Sequence, residues 1–144
     1  MRIALSVEYN GANYFGWQKQ KIHKEKMIQY HIDLAISKIA DEQISTICAG
    51  RTDTGVHAFS QIIHFDTTKR RLDYKWINGI NSNLPSDVIV KKIYHVDEDF
   101  HARYSAQSRT YRYIILNQKY PSTFLSSNVL HFSDTINISK IKLK

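Results

Sequence analysis

The segment "AGRTDTGVHA", residues 49–58, gathers Arg51, Thr52, Asp53, Thr54, Gly55 and His57 into one polar run between two apolar stretches. Two readings of Asp53 are open. Asp and Thr ahead of Gly make a good turn, because Asp can bond its own backbone and Gly tolerates positive φ. Alternatively, Asp53 is a reactive carboxylate. Arg51 stands two residues away, and a neighbouring guanidinium favours the ionised carboxylate, the form that acts as a nucleophile. A second set of chemically useful residues lies in "SRTYRY", residues 108–113. With the two-residue period of a strand, Arg109, Tyr111 and Tyr113 share one face, and Thr110 and Arg112 share the other. The tyrosines then serve either as sheet packing or as a stacking platform with a phenol that can accept or donate a proton.

Other chemistry is missing from the sequence. It has no G-x-x-x-x-G-K-[ST] loop and no G-x-G-x-x-G. The seven His make neither H-E-x-x-H nor a close ligand pair, and Cys48 is the single cysteine. The reading therefore includes no metal and no cofactor. His101, in "FHAR", reads as a packed or hydrogen-bonded residue. Cys48, in "ISTICAG", reads as a buried strand residue, and a lone cysteine fits a reducing compartment. The chain carries 20 Lys and Arg against 13 Asp and Glu, a net charge of +7. Such a balance points to an acidic partner, nucleic acid before others, and nine Tyr suit base stacking. No run reaches the length of a membrane span, and "MRIALSVEYNG" lacks the apolar stretch of a signal peptide, so the expected location is the cytoplasm with no membrane partner.

The elements that must position these residues follow from periodicity. Residues 2–9 alternate, with Ile3, Leu5, Val7 and Tyr9 on one side, and predict a half-buried strand. "YNGANYFGW" is a loop with two Gly, and "KQKIHKEK" is a basic run. Ile28, Ile32, Ala35, Ile36 and Ile39 mark a helix over 27–40. Strands are expected over 44–49 and 59–66, so the Asp53 segment connects the second strand to the third. Leu72, Trp76, Ile77 and Ile80 mark a second helix that ends near "NSNLP". A fourth strand covers 88–96, a loop "DEDFHARYSAQS" follows, and a fifth strand covers 109–116. The predicted class is α+β: an antiparallel sheet with both helices on one face, in the ferredoxin-like or RRM-like split β-α-β order, with the other sheet face free. At the end, Asn137 reads as the N-cap of a helix whose first face holds Ile138, Ile141 and Lys142.

"YNGANYFGWQKQ", "CAGRTDTGVHA", "NSNLP", "DFHARYSA" and "RTYRYII" occur in this order. Together they resemble the tRNA pseudouridine synthase A family, over residues 2 to at least 132. The resemblance implies the N-terminal half of a pseudouridine synthase fold: residues 1–132 as the half with the catalytic Asp, and 133–144 as the start of a cut helix leading to a second half. It implies an enzyme that isomerises uridine to pseudouridine in the anticodon stem-loop of tRNA, without a cofactor, as a homodimer with one tRNA across both subunits. Asp53 matches the catalytic Asp, attacking either C1′ of the ribose or C6 of the uracil. Tyr111 matches the active-site Tyr that stacks on the target base. Arg51 would support the flipped-out nucleotide, and Arg103 would contact phosphate or orient Asp53. The alternative expectation is a catalytically impaired RNA-binding module, because family members are much longer than 144 residues.

Overall fold

The computed structural model describes residues 1–141, and the chain divides into two units, Met1–Arg109 and Thr110–Lys144. In the first unit, β1 (Arg2–Tyr9) leads through a Gly-containing loop to α1 (Ile28–Ala40). Then come β2 (Ile47–Cys48), β3 (Ala58–Asp66), α2 (Asp73–Asn81) and β4 (Val88–Val96). The strand order is β2-β3-β1-β4, and every neighbouring pair is antiparallel. This is the expected α+β split β-α-β arrangement.

The alternation of β1 decides which face the helices cover. Ile3 opposes Phe65 and Leu5 opposes Ile63, and all four are buried. They form one core with Ile28, Ile32, Ala35 and Ile36 of α1 and Trp76 and Ile80 of α2, so both helices lie on the same sheet face. Each fully buried Ile or Leu contributes about 1.5–3 kcal/mol through loss of apolar surface to water.

The beginning of α1 lacks a side-chain cap. Its first N–H groups are satisfied from the loop instead: Ile28 donates to the Gly16 carbonyl at 3.2 Å and Gln29 to the Trp17 carbonyl at 3.0 Å. The expected second strand is shorter than residues 44–49 because α1 takes its backbone. The N–H and Oγ1 of Thr46 both donate to Asp33, Gln29 donates to the Thr46 carbonyl, and Ile44 donates to Ser37. Only Ile47 and Cys48 remain to pair with β3. The same polar ring draws in the basic run, since Lys19 Nζ lies 3.7 Å from the buried Asp33 carboxylate. Burial pushes the Asp33 carboxyl up, against the opposing hydrogen bonds from Thr46 and the charge of Lys19.

The second sheet face is only partly free. The turn at residues 100–105 folds onto it: Ala102 is buried, and its N–H donates to His64 Nδ1 at 3.1 Å. The rings of Phe100 and His101 lie 6.0 and 4.9 Å from that of His64. Ile47, Ile89 and Tyr94 on this face stay 43%, 41% and 42% exposed. His101 is a packed residue, as expected, and its Nδ1 accepts the N–H groups of Arg103 and Tyr104.

Burial, and secondarily Arg2 and His101, hold His64 below the ordinary histidine value of 6.5. The unfolded chain therefore binds this proton more readily than the folded one. The contribution of His64 is complete above pH 6.5 and is lost as pH falls from there through the lower folded value. Melting temperature between pH 7 and 5 should fall in the wild-type chain, and His64→Gln should flatten that dependence; an unchanged slope in the variant would remove His64 from this role.

The expected fifth strand over 109–116 forms only from Ile115. In the second unit, β5 (Ile115–Asn117) pairs in parallel with β6 (Leu130–Phe132) as a separate two-stranded sheet. Tyr111 and Tyr113 are 76% and 79% exposed. Alternating Tyr residues favour a strand only where a covered face receives them, and here neither tyrosine is buried. Asn137 does cap, accepting the Ser139 N–H at 3.1 Å, but over one 3₁₀ turn, Ile138–Lys140, rather than an α-helix. Lys142 lies outside the described residues.

Candidate active site

Residues 49–57 connect β2 to β3, and their backbone is anchored at several points. Ala49 donates to the Ile62 carbonyl at 2.8 Å, and Gly50 exchanges hydrogen bonds with the Gln61 side chain. The Thr52 carbonyl accepts the Trp17 N–H at 2.9 Å, while its hydroxyl meets the Tyr9 hydroxyl at 2.8 Å. Tyr9 and Trp17 are buried, with ring centres 5.9 Å apart, so this anchor rests on the core. Further along, His57 Nδ1 accepts the Gly11 N–H at 3.1 Å.

Asp53 opens a tight turn: its carbonyl accepts the Val56 N–H at 3.2 Å, and Gly55 has φ +77°. Positive φ at the third residue is the requirement of a type II turn, which Gly meets without steric cost. The turn reading thus holds for the backbone. It fails for the side chain. In an Asx turn the carboxylate would take the N–H two residues on, but Gly55 gives that N–H to the Tyr14 carbonyl at 3.2 Å. Asp53 is exposed, and among the described residues its carboxylate has no hydrogen bond or ion pair. The loop is fixed by other groups, and the carboxylate is left presented.

Two glycines of "YNGANYFGW" let this loop lie directly on the chain. A Cβ on Gly11 would stand 2.0 Å from the Val56 carbonyl oxygen. Gly16 has φ +109°, and a Cβ there would stand 2.6 Å from the Thr52 carbonyl oxygen.

Arg51 is exposed and forms no ion pair with Asp53, so the expected guanidinium–carboxylate contact is not made. Burial pushes the Cys48 thiol up, against a backbone hydrogen bond and the charges of Arg51 and Arg103. Arg103 is exposed, its guanidinium 5.8 Å over the Tyr104 ring. Asp53, Arg51 and Arg103 belong to the same unit. Tyr111 belongs to the other unit, where it is exposed and outside any strand. Among the described residues, no group of three or more His, Cys, Asp or Glu could hold a metal ion.

Arg109 has a role that its sequence setting conceals. Its Nε and Nη2 donate to the Ala49 carbonyl at 3.1 and 2.8 Å, and Nη2 also donates to the Arg103 carbonyl at 2.9 Å. It ties the start of the Asp53 loop to the Arg103 turn, whereas its alternation with Tyr111 suggests a strand face. Arg109→Ala should speed amide hydrogen exchange at Ala49 and Gly55 by about tenfold, the scale of one charge-assisted hydrogen bond. Lys should not rescue it, having no forked donor geometry. Exchange rates equal to wild type would show that the clamp does not hold the loop.

A small antiparallel split β-α-β domain presenting one unpaired Asp from a rigid inter-strand loop defines a class of carboxylate-bearing site. The sequence model of the tRNA pseudouridine synthase family matches residues 5–105, and this chain belongs to that family. It is 53% identical over 131 residues to the tRNA pseudouridine synthase A of Colwellia psychrerythraea, covering 91% of this chain and 50% of that relative. It is 50% identical over 137 residues to that of Aeromonas hydrophila, covering 95% and 50%, and 44% identical over 140 residues to that of Escherichia coli, covering 97% and 51%. The chain spans about half the length of the curated relatives it matches.

Proposed function

We propose that this chain supplies the catalytic-Asp half of a tRNA pseudouridine synthase that acts on a uridine of the anticodon stem-loop. The observation that carries the reading is the Asp53 carboxylate, presented unpaired from a loop anchored through Ala49, Gly50, Thr52 and Gly55. In the reaction, the N1–C1′ bond breaks, the uracil turns, and a C5–C1′ bond forms. The C5 hydrogen leaves as a proton and N1 gains one, so nothing is oxidised or reduced. Asp53 acts as the nucleophile, at C1′ as carboxylates do in retaining glycosidases, or at C6 of the ring. Either attack needs the nucleotide out of its stack. Arg51 supports the flipped nucleotide, Arg103 contacts phosphate, and Tyr111 stacks on the base.

An exposed carboxylate is a poor catalyst, because electrostatic stabilisation depends on a water-excluded, preorganised site. The matched relatives are about twice as long. The proposed activity is therefore that of an assembly, a homodimer in the cytoplasm, in which the equivalent of the relatives' remaining half closes over Asp53. The exposure of Asp53 also favours a second reading, an RNA-binding module of the same family without turnover. Nucleoside analysis of tRNA after incubation separates the readings. Pseudouridine in the intact tRNA, with no free uracil, is the expected result when the remaining half is present. Free uracil would show a nucleosidase, and unaltered tRNA that is nonetheless bound would show the module.

A further inference from the structure

The two basic runs differ in what surrounds them. In residues 19–26, Lys19 lies 3.7 Å from buried Asp33, and Glu25 stands among the exposed Lys21, Lys24 and Lys26. In residues 69–75 the neighbouring acids are already engaged elsewhere. Asp66 is held in a two-pronged pair by Arg2, at 2.8 Å on each oxygen. Asp73 is 2.7 Å from His95 Nε2, and the Glu42 carboxylate accepts from Thr67 and Thr68. Arg70, Arg71 and Lys75 are exposed, and among the described residues none of them has an ion pair. They line an open depression of about 410 Å³ together with Leu72. Leu72 and Tyr74 beside them are 61% and 58% exposed. The Arg71 guanidinium lies 6.0 Å over the Trp76 ring, but no carboxylate among the described residues pairs with any of the three. Three cations within six residues repel one another, and a polyanion relieves that repulsion. An exposed aromatic among them suits a nucleic-acid surface better than an acidic peptide, because it can stack on a base.

The placement adds to this. The Asp53 loop enters β3 at Ala58, and the cationic segment follows the other end of β3, at Asp66. Nine residues of strand separate the two by on the order of 30 Å. We propose that Arg70, Arg71 and Lys75, with Tyr74, form a second RNA-binding surface that grips the substrate's phosphate backbone far from the target uridine. The proposal rests on tRNA being the substrate.

The test compares the wild-type chain with R70Q/R71Q/K75Q and with K38Q/K119Q/K140Q, which removes the same charge from other exposed positions. Dissociation constants are measured over a range of salt, for full-length tRNA and for a short anticodon stem-loop hairpin. The first variant should bind full-length tRNA at least about tenfold more weakly, with a log–log salt slope reduced by about two to three, since each phosphate contact contributes roughly 0.7–0.9. Its affinity for the hairpin and its melting temperature should match wild type, and the control should lose less than one unit of slope. An unchanged slope in the first variant, an equal loss in the control, or an equal loss on the hairpin would each overturn the proposal while leaving tRNA binding by the wild type intact. A wild-type chain with no affinity for tRNA would remove the functional reading, and this surface with it.

Discussion

Asp53→Asn is expected to lower uridine isomerisation by at least about 10⁴-fold, the scale on which loss of a nucleophile acts. The amide keeps the shape of the carboxylate but cannot form the covalent bond. The expectation rests on a division of labour within the loop. Its backbone is held by Trp17, Tyr14 and Ile62, its His57 ring by the Gly11 N–H, and its Thr52 hydroxyl by Tyr9, so the Asp53 side chain does no structural work. Stability should stay within about 0.5 kcal/mol of wild type, as for other surface substitutions. Affinity for tRNA should change by no more than about twofold, because phosphate contacts dominate it and come from cations elsewhere. The measurements are pseudouridine yield, melting temperature and the tRNA dissociation constant, made on one preparation. Near-normal turnover in the variant would take the nucleophile's role from Asp53. A collapse of stability would mean that its carboxylate holds the loop after all.

Gly11→Ala should have the largest structural effect of any single methyl group near the site. The added Cβ would stand 2.0 Å from the Val56 carbonyl oxygen, a backbone atom that cannot rotate away. Either β1's following loop or the Asp53 turn must move. Overpacking of this kind costs about 3 kcal/mol, roughly ten degrees of melting temperature for a domain of this size. Movement of the turn also displaces Asp53, so activity should fall further than stability alone explains. Gly55→Ala is the internal comparison. Its Cβ would meet nothing within 4 Å, and only the φ of +77° opposes it. That cost is about 1–2 kcal/mol. Equal melting temperatures for the two variants would show that the close approach at Gly11 is not tight.

The comparison of these two glycines shows what the sequence reveals and what it hides. The position of the Asp53 segment between two strands follows from hydrophobic alternation on either side of it. The core follows too, because Ile3, Leu5, Ile32, Ile36, Trp76 and Ile80 repeat at strand or helix period. What pattern cannot show is polar traffic across elements. The Gln29–Asp33–Thr46 ring shortens β2, and nothing in the apolar periodicity of α1 marks its polar residues as buried. Arg109 sits in a clean alternation with Tyr111 and Tyr113, yet its guanidinium reaches back to Ala49 and Arg103. The alternation that suggests a fifth strand is real, but the tyrosines stay exposed and the strand begins only at Ile115. The presented carboxylate itself was half visible: the turn chemistry of "TDTG" is in the sequence, whereas the diversion of the Gly55 N–H to Tyr14 depends on a loop about forty residues earlier.

Tritium release from tRNA labelled at C5 of uridine tests the central claim most directly, because replacement of the C5 hydrogen occurs in isomerisation and not in simple binding. The assay is run with this chain together with the remaining half of a full-length relative, and in parallel with Asp53→Asn in the same mixture. The account predicts tritium release matching pseudouridine formed with the wild-type chain, and none above background with Asp53→Asn or with either half alone. Equal release from the wild-type and Asp53→Asn mixtures, or no release from a complemented wild-type mixture that binds tRNA, would contradict it.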